Sequence, residues 1–249
     1  MTRLDEIAPD IFRISTFFPE GNIQFNQFLL RDEEPVLIHT GNRALLAGAR
    51  EAVAKIVPLE QLRWIAFSHF EADECGALRE WQQVAPRATP LCSYVAKVVS
   101  VDDVVALRPA RAVQDGEVLS TGKYRMRFLQ TPHVPHAWDA GLFLEEVSGT
   151  LFCSDLFHQN GDVEPVTTGD VVGRFRDVLL EYQAGPFANY LPYTTTTAET
   201  LARLAALEPK QLAAMHGSTH VGDGRKALED VERLLREVAN APGGQGVSG

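Results

Sequence analysis

Between Lys123 and Leu129 the chain alternates strictly. Tyr124, Met126 and Phe128 fall on one side and Arg125 and Arg127 on the other, which is the period of a half-buried strand. Ile11–Thr16, Gln24–Leu30 and Pro35–His39 read as further strands of a meander, separated by the turn residues Pro19-Glu20-Gly21 and Asp32-Glu33-Glu34. The period then changes. In Arg43–Ile56, Leu45, Leu46, Ala49, Val53 and Ile56 share one helical face. Trp64–Phe67 reads as a short buried strand, Ala77–Val84 as a helix stopped before Pro86, and Thr89–Cys92 as a strand. Val95–Leu107 is expected to form helical turns over the site. Leu142–Glu146 and Leu151–Cys153 pair as a hairpin across Ser148-Gly149. Val171–Gln183, Thr197–Leu207 and Lys226–Val238 read as helices, with Gln211–Met215 a strand between the last two.

Strands, β/α units, strands and β/α units again predict two half-sheets, each with helices outside. The fold class is α/β, a four-layer αββα sandwich built as one domain over residues 1–240. The Gly-rich tail 241–249 is expected to be disordered.

Composition narrows the function. Hydrophobic content of 45% with 22% charged residues is that of a globular protein rather than a disordered one. A net charge of −10 argues against nucleic acid or an anionic membrane as partner, since both require a basic surface. No apolar run approaches a membrane span, and Met1–Asp10 carries charges where a signal peptide needs an apolar stretch; a cytoplasmic protein is expected. The cysteines, Cys75, Cys92 and Cys153, lack a paired spacing and read as reduced thiols.

The chemistry lies at strand ends. After Trp64–Phe67 come His69, Glu71, Asp73 and Glu74. In an extended turn the first three point to one side, and Glu74 adds a fourth group. One imidazole with three carboxylates suits a hard or borderline metal. The plain alternative is a solvated acidic loop capping the next helix. The pattern recurs, however: His133 and His136 follow the strand ending at Leu129, Asp155 ends the strand in TLFCSD, and His216 precedes Gly217 at the end of another. A lone histidine usually satisfies a hydrogen bond. Imidazoles and carboxylates at the ends of several strands that meet on one rim indicate a metal site.

HFEADE, HAWDAG, SDLF and MHG, in this order and spacing, resemble the metallo-β-lactamase superfold, and more closely the diiron domain of flavodiiron proteins and their stand-alone oxygen-binding relatives. Hydrolases of the superfold carry His-x-His-x-Asp-His; Glu71 replaces the second histidine here, which is the flavodiiron form. The resemblance implies one iron on His69, Glu71 and His136, a second on Asp73 and His216, and Asp155 bridging them. This chain departs from the family pattern at several positions. Glu74 stands where histidine is usual, and His39 ends a strand that usually reads Leu-Ile-Asp-Thr. One extra residue after Thr131-Pro132 lets His133 compete with His136, of which His136 keeps the spacing to Asp139. The departures at 74 and 39 conserve one carboxylate and one imidazole. They are expected to lie together in space, with His39 supporting a ligand, or ligating the second metal itself if Glu74 turns away.

The resemblance therefore implies two iron ions, with manganese or zinc as alternatives. It also implies binding, and reduction or sensing, of O2 or a related diatomic or peroxide. The chain shows no Gly-rich phosphate loop or second domain for a flavin, so an external redox or signalling protein is the expected partner, and a homodimer is compatible. A dinuclear metal-dependent hydrolase is the rival reading. Tyr193 is the candidate proton or hydrogen-bond donor, against a packing role, and His133 is a candidate support behind the ligands. Trp138 is expected in the pocket wall. His158 and His220 are expected behind the ligands or on the surface.

Overall fold

The protein, seen in a computed structural model that describes residues 1–240, begins with a meander. Strands β1 (Thr2–Ala8), β2 (Ile11–Phe18), β3 (Ile23–Leu30) and β4 (Val36–Ile38) pair antiparallel in sequence order. Helix α1 (Leu46–Ala54) then crosses to β5 (Trp64–Ala66), parallel to β4. Helices α2 (Ala72–Cys75) and α3 (Leu78–Val84) lead to β6 (Thr89–Ser93), and α4 (Tyr94–Ala96) with a π-helical stretch Lys97–Val105 leads to β7 (Arg111–Val113). These seven strands form the first sheet, in the order β1 to β7.

The second half begins with β8 (Val118–Ser120), β9 (Arg125–Gln130), β10 (Gly141–Glu145) and β11 (Thr150–Ser154), again antiparallel. It continues through β12 (Val166–Thr167), α5 (Val171–Gln183), α6 (Thr197–Ala205), β13 (Gln211–Ala214), β14 (Thr219–Val221) and α7 (Gly224–Asn240). The strand order is β12-β14-β13-β11-β10-β9-β8.

Strand alternation sorts the side chains into layers. On β3, Phe28 and Leu30 face the second sheet, where Met126, Phe128 and Phe152 meet them; the rings of Phe28 and Phe152 are 5.4 Å apart. Leu29 faces the other way, with Leu37 and Ile65, onto Val53, Leu78 and Trp81 of the helices outside. The second sheet repeats this: Leu142, Leu144 and Leu151 pack on Leu201, Leu228 and Val231. This is the expected four-layer sandwich.

Some expectations shift. The first helix starts at Leu46 rather than Arg43, because the side chain of Asn42 accepts from the amides of Ala44 and Leu45 and holds those residues in a turn. Val95–Val105 is helical, and Val101 and Val105 pack into the outer core of the first sheet. The five strands β1, β7, β8, β12 and β14 add to the strands read from the sequence. The tail 241–249 lies outside the described residues. Among the described residues no helix is long and apolar enough to cross a membrane.

The topology aligns the ends that matter. β4 and β5 run parallel in the first sheet, and β11 and β13 run parallel in the second. Their carboxyl ends deliver His39, His69, Asp155 and His216 to the same rim, and the sheets are tied there. The amide of Asn26 on β3 donates to the carbonyl of Met215 at 2.9 Å, and its side-chain nitrogen donates to those of Ala214 and Gly217.

Because Phe152 is buried between the sheets, Phe152→Ala leaves a cavity with little room to collapse. We expect a loss of about 3–5 kcal/mol in urea unfolding. A loss below about 1 kcal/mol would contradict a tightly packed seam.

Candidate metal centre

His69 follows β5 and is fully buried. Its Nδ1 is 3.2 Å from the hydroxyl of Ser68, and its Nε2 lies 2.9 Å from Glu71 Oε2 and 3.6 Å from Asp155 Oδ2. His136 arrives from the loop after β9. Its Nε2 lies 3.2 Å from Glu71 Oε2 and 3.2 Å from Asp155 Oδ2. His216 comes from the end of β13. Its Nδ1 is 2.8 Å from the carbonyl of Gln24, so that Nε2 faces inward, 3.1 Å from Asp155 Oδ1 and 3.4 Å from Asp73 Oδ2. The two oxygens of Asp155 thus face different histidines.

Two overlapping groups result. One donor atom from each of His69, Glu71, His136 and Asp155 lies within 4.8 Å of all the others, and the same holds for Asp73, Asp155 and His216. Asp155 is common to both. Each group has the donors to hold one cation, with imidazole and carboxylate as the only donor types. Outer contacts fix the ligand candidates in place. Asp139 accepts from the amide of Phe70 at 2.9 Å, and Ser93 donates to the Asp139 carbonyl. Gly217 has φ of +129°, and a Cβ there would lie 2.7 Å from the side chain of Gln159; only glycine fits the turn that carries His216.

Other expected site residues are placed differently. Glu74 is fully buried but stands outside both groups. Its Oε2 accepts from the amide of Ser68 (2.8 Å) and lies 2.6 Å from His39 Nδ1, and its Oε1 accepts from the hydroxyl of Ser154. The chain becomes helical at Ala72, so Asp73 and Glu74 point about 100° apart; Asp73 reaches His216, while Glu74 turns toward Ser68 and Ser154. His39 and Glu74, the two departures from the family pattern, are in direct contact.

His133 lies outside the cluster, in a cavity lined by Pro132, Thr194 and Arg203. Tyr193 is turned away as well. Its hydroxyl donates to Glu232 and accepts from Arg236, both on α7, which corrects its expected place beside the site. The tyrosine that does stand there is Tyr190, with its ring 6.1 Å from that of His136 and its hydroxyl 3.3 Å from His158 Nδ1. Nothing in the local sequence separated Tyr190 from Tyr193. Trp138 is mostly exposed. His158 is buried beside His216, with ring centroids 4.7 Å apart.

The electrostatics are those of imidazoles and carboxylates packed against one another. Burial opposes charge on all three histidines, but facing carboxylates outweigh it: Asp155 and Glu71 raise His136 to about 10, and Asp155 and Asp73 raise His216 to about 10. Glu71, followed by Glu74, raises His69 to about 8. Hydrogen bonds to His136 and His69 lower Glu71 to about 2. For Asp155, burial is outweighed by His136 and His216, and its pKa lies well below the ordinary range. Asp155 acts on His158 only through its charge, which does not offset burial. Burial, then the charge of His216, drives it well below the ordinary imidazole value.

A pH dependence follows for the metal-free protein. The histidine pKa values exceed the ordinary 6.5, so their stabilisation is complete below about 6.5 and is lost as pH rises through about 8 to 10. The Glu71 contribution is present above its ordinary 4.5 and is lost as pH falls toward about 2. Chelator-treated protein is therefore expected to lose thermal stability between pH 6.5 and 10, and His136→Gln should flatten that decline. A divalent cation must displace these protons, so its affinity should rise over the same range. Affinity independent of pH would contradict this protonation pattern.

Comparison with known proteins identifies the family and the fold. The family model described as ODP family beta lactamase matches residues 23–217. The rubredoxin-oxygen oxidoreductase of Megalodesulfovibrio gigas is 26% identical over 212 residues, which are 81% of this chain and 50% of that protein. The structure of rubredoxin oxygen:oxidoreductase from Desulfovibrio gigas superposes with a TM-score of 0.79 at 21% identity, covering 96% of this chain and 62% of that one. A flavo di-iron protein from Thermotoga maritima gives a TM-score of 0.79 at 20% identity, covering 97% and 62%. The chain thus spans about half to three-fifths of the length of these relatives. With the family model matching most of the sequence, and the fold shared with flavo di-iron structures, the chain belongs to the ODP family of the metallo-β-lactamase fold.

Proposed function

We propose that this rim holds two iron ions bridged by Asp155 and that the pair binds a small oxidant: O2, nitric oxide or a peroxide. The observation that carries this reading is the division of Asp155, with Oδ2 toward His69 and His136 and Oδ1 toward His216. The donor set fits iron. Three carboxylates, Glu71, Asp73 and Asp155, favour a hard cation, and three imidazoles keep it anchored. Bound iron would supply the change of oxidation state, which none of these side chains provides.

The chain's own residues would do the rest. His69, Glu71 and His136 hold the first position with four side chains counting Asp155, and Asp73 and His216 hold the second with three. The second position therefore has more room for a ligand from solution. Ser68 and the Gln24 carbonyl orient the imidazoles of His69 and His216 from behind. Burial keeps the phenol of Tyr190 protonated well above pH 10, so that it stays a neutral wall beside His136.

An external redox or signalling protein is the partner that fits this reading, since none of the side chains His69, Glu71, Asp73, His136, Asp155 and His216 is itself a reductant. The relative from Megalodesulfovibrio gigas is by name a rubredoxin-oxygen oxidoreductase, which supports redox chemistry over the hydrolase alternative. A homodimer remains compatible.

Anaerobic iron loading followed by mixing with O2 tests the proposal. We expect about two irons per chain and a visible absorption band that appears on mixing. Asp155→Ala should lose the paired site. His136→Ala should lower iron content and abolish the band, while His133→Ala should do much less. Two irons retained in Asp155→Ala, or a colourless protein that prefers zinc, would sink the reading.

A further inference from the structure

We infer that Glu74, which the local helix withdraws from ligation, is a positioning residue that couples the two sheets beneath the metal site and sets the redox balance of the pair; this rests on the diiron reading above. The carboxylate touches both strand ends that supply His69 and Asp155. From the first sheet, the amide of Ser68, the residue before His69, donates to Oε2 at 2.8 Å. From the second, the hydroxyl of Ser154, the residue before Asp155, donates to Oε1. The same hydroxyl lies 3.2 Å from Asp155 Oδ2, and Glu74 Oε1 is 3.8 Å from His69 Nδ1. Glu74 is thus one residue behind a ligand candidate on each side.

His39 fixes the carboxylate in turn. Its Nδ1 is 2.6 Å from Glu74 Oε2, while its Nε2 is buried without a hydrogen-bond partner. A proton on Nε2 would leave an unpaired buried donor, so the network assigns the proton to Nδ1, donated to Glu74. Ser154 and His39 both have positive φ, 52° and 64°. Two of the three donors to the carboxylate therefore come from backbone positions that the fold has to hold in place.

Charge gives this arrangement a function. Two divalent ions carry four positive charges, and Glu71, Asp73 and Asp155 supply three negative ones; Glu74 supplies the fourth from beneath, without occupying a coordination position. In a buried, poorly screened setting such a charge favours the more oxidised, more positive metal pair. The exchange with position 39 keeps one carboxylate and one imidazole, and here the carboxylate is the group that stands directly behind His69 and Asp155. This chain combines the fourth charge with a more open second metal position.

The test uses Glu74→Gln and His39→Ala in the full chain, loaded anaerobically with iron and titrated for both metal affinity and midpoint potential. Glutamine keeps the shape and an acceptor for Ser68 but removes the charge. Glu74→Gln should still bind two irons, with the second weakened ~10–100-fold and the midpoint potential shifted positive. His39→Ala should act in the same direction, and the double variant should lose less than the sum of the two. Ser154→Ala is the substitute if Glu74→Gln does not fold; it removes the tie to the second sheet and should weaken the second iron in the same direction. A wild type that binds fewer than two irons would overturn the diiron reading and this inference together. Two irons in the wild type, with unchanged affinity and potential in Glu74→Gln or with additive effects in the cycle, would overturn only the role of Glu74.

Discussion

Everything at the rim depends on the carboxylate of Asp155, which is almost fully buried and faces imidazoles on both sides. An isolated carboxylate in that position would be very costly, because its charge is removed from water. It is tolerable only when cations, whether protons on the histidines or metal ions between them, stand against both oxygens. The fold provides this by bringing β11 and β13 parallel in one sheet and β5 to the facing end of the other. The seam around Phe28 and Phe152 holds the sheets together, so packing tens of ångströms in extent fixes a geometry a few ångströms across.

The same constraint accounts for the polar support around the site. Imidazoles that are to bind a cation need one nitrogen tied and the other free; Gln24 and Ser68 tie those of His216 and His69, and Asp139 holds the backbone amide of Phe70 beside them. Glu74 and His39 extend that support into the layer between the sheets, where water does not reach. A charge in that layer acts over a longer range than one on the surface.

Much of this was legible in the sequence. Strand ends carrying His69, Asp155 and His216 stood out because apolar runs such as WIAF and LFC leave few other assignments, and the meeting of those ends follows from the alternation of strands and helices. The direction of Glu74 was not legible. An extended turn and a helical one place consecutive carboxylates differently, and the onset of helix at Ala72 has no capping signature: Glu71 makes no side-chain cap. Tyr190 was hidden for a related reason, since a loop has no period that says which of two tyrosines faces inward. The strands β7, β8, β12 and β14 have two or three residues each, too short for alternation to register, and β1 mixes charged and apolar residues along its exposed edge. The departures at positions 39 and 74 were visible as a pair, and the 2.6 Å contact gives that pairing a physical basis.

The most direct test of the account is anomalous diffraction at the iron edge from crystals of the iron-loaded protein. Two peaks are expected, one among His69, Glu71 and His136 and the other between Asp73 and His216, with the carboxylate of Asp155 between them and no metal bonded to Glu74. A single peak, or a peak coordinated by Glu74 or His39, would contradict it.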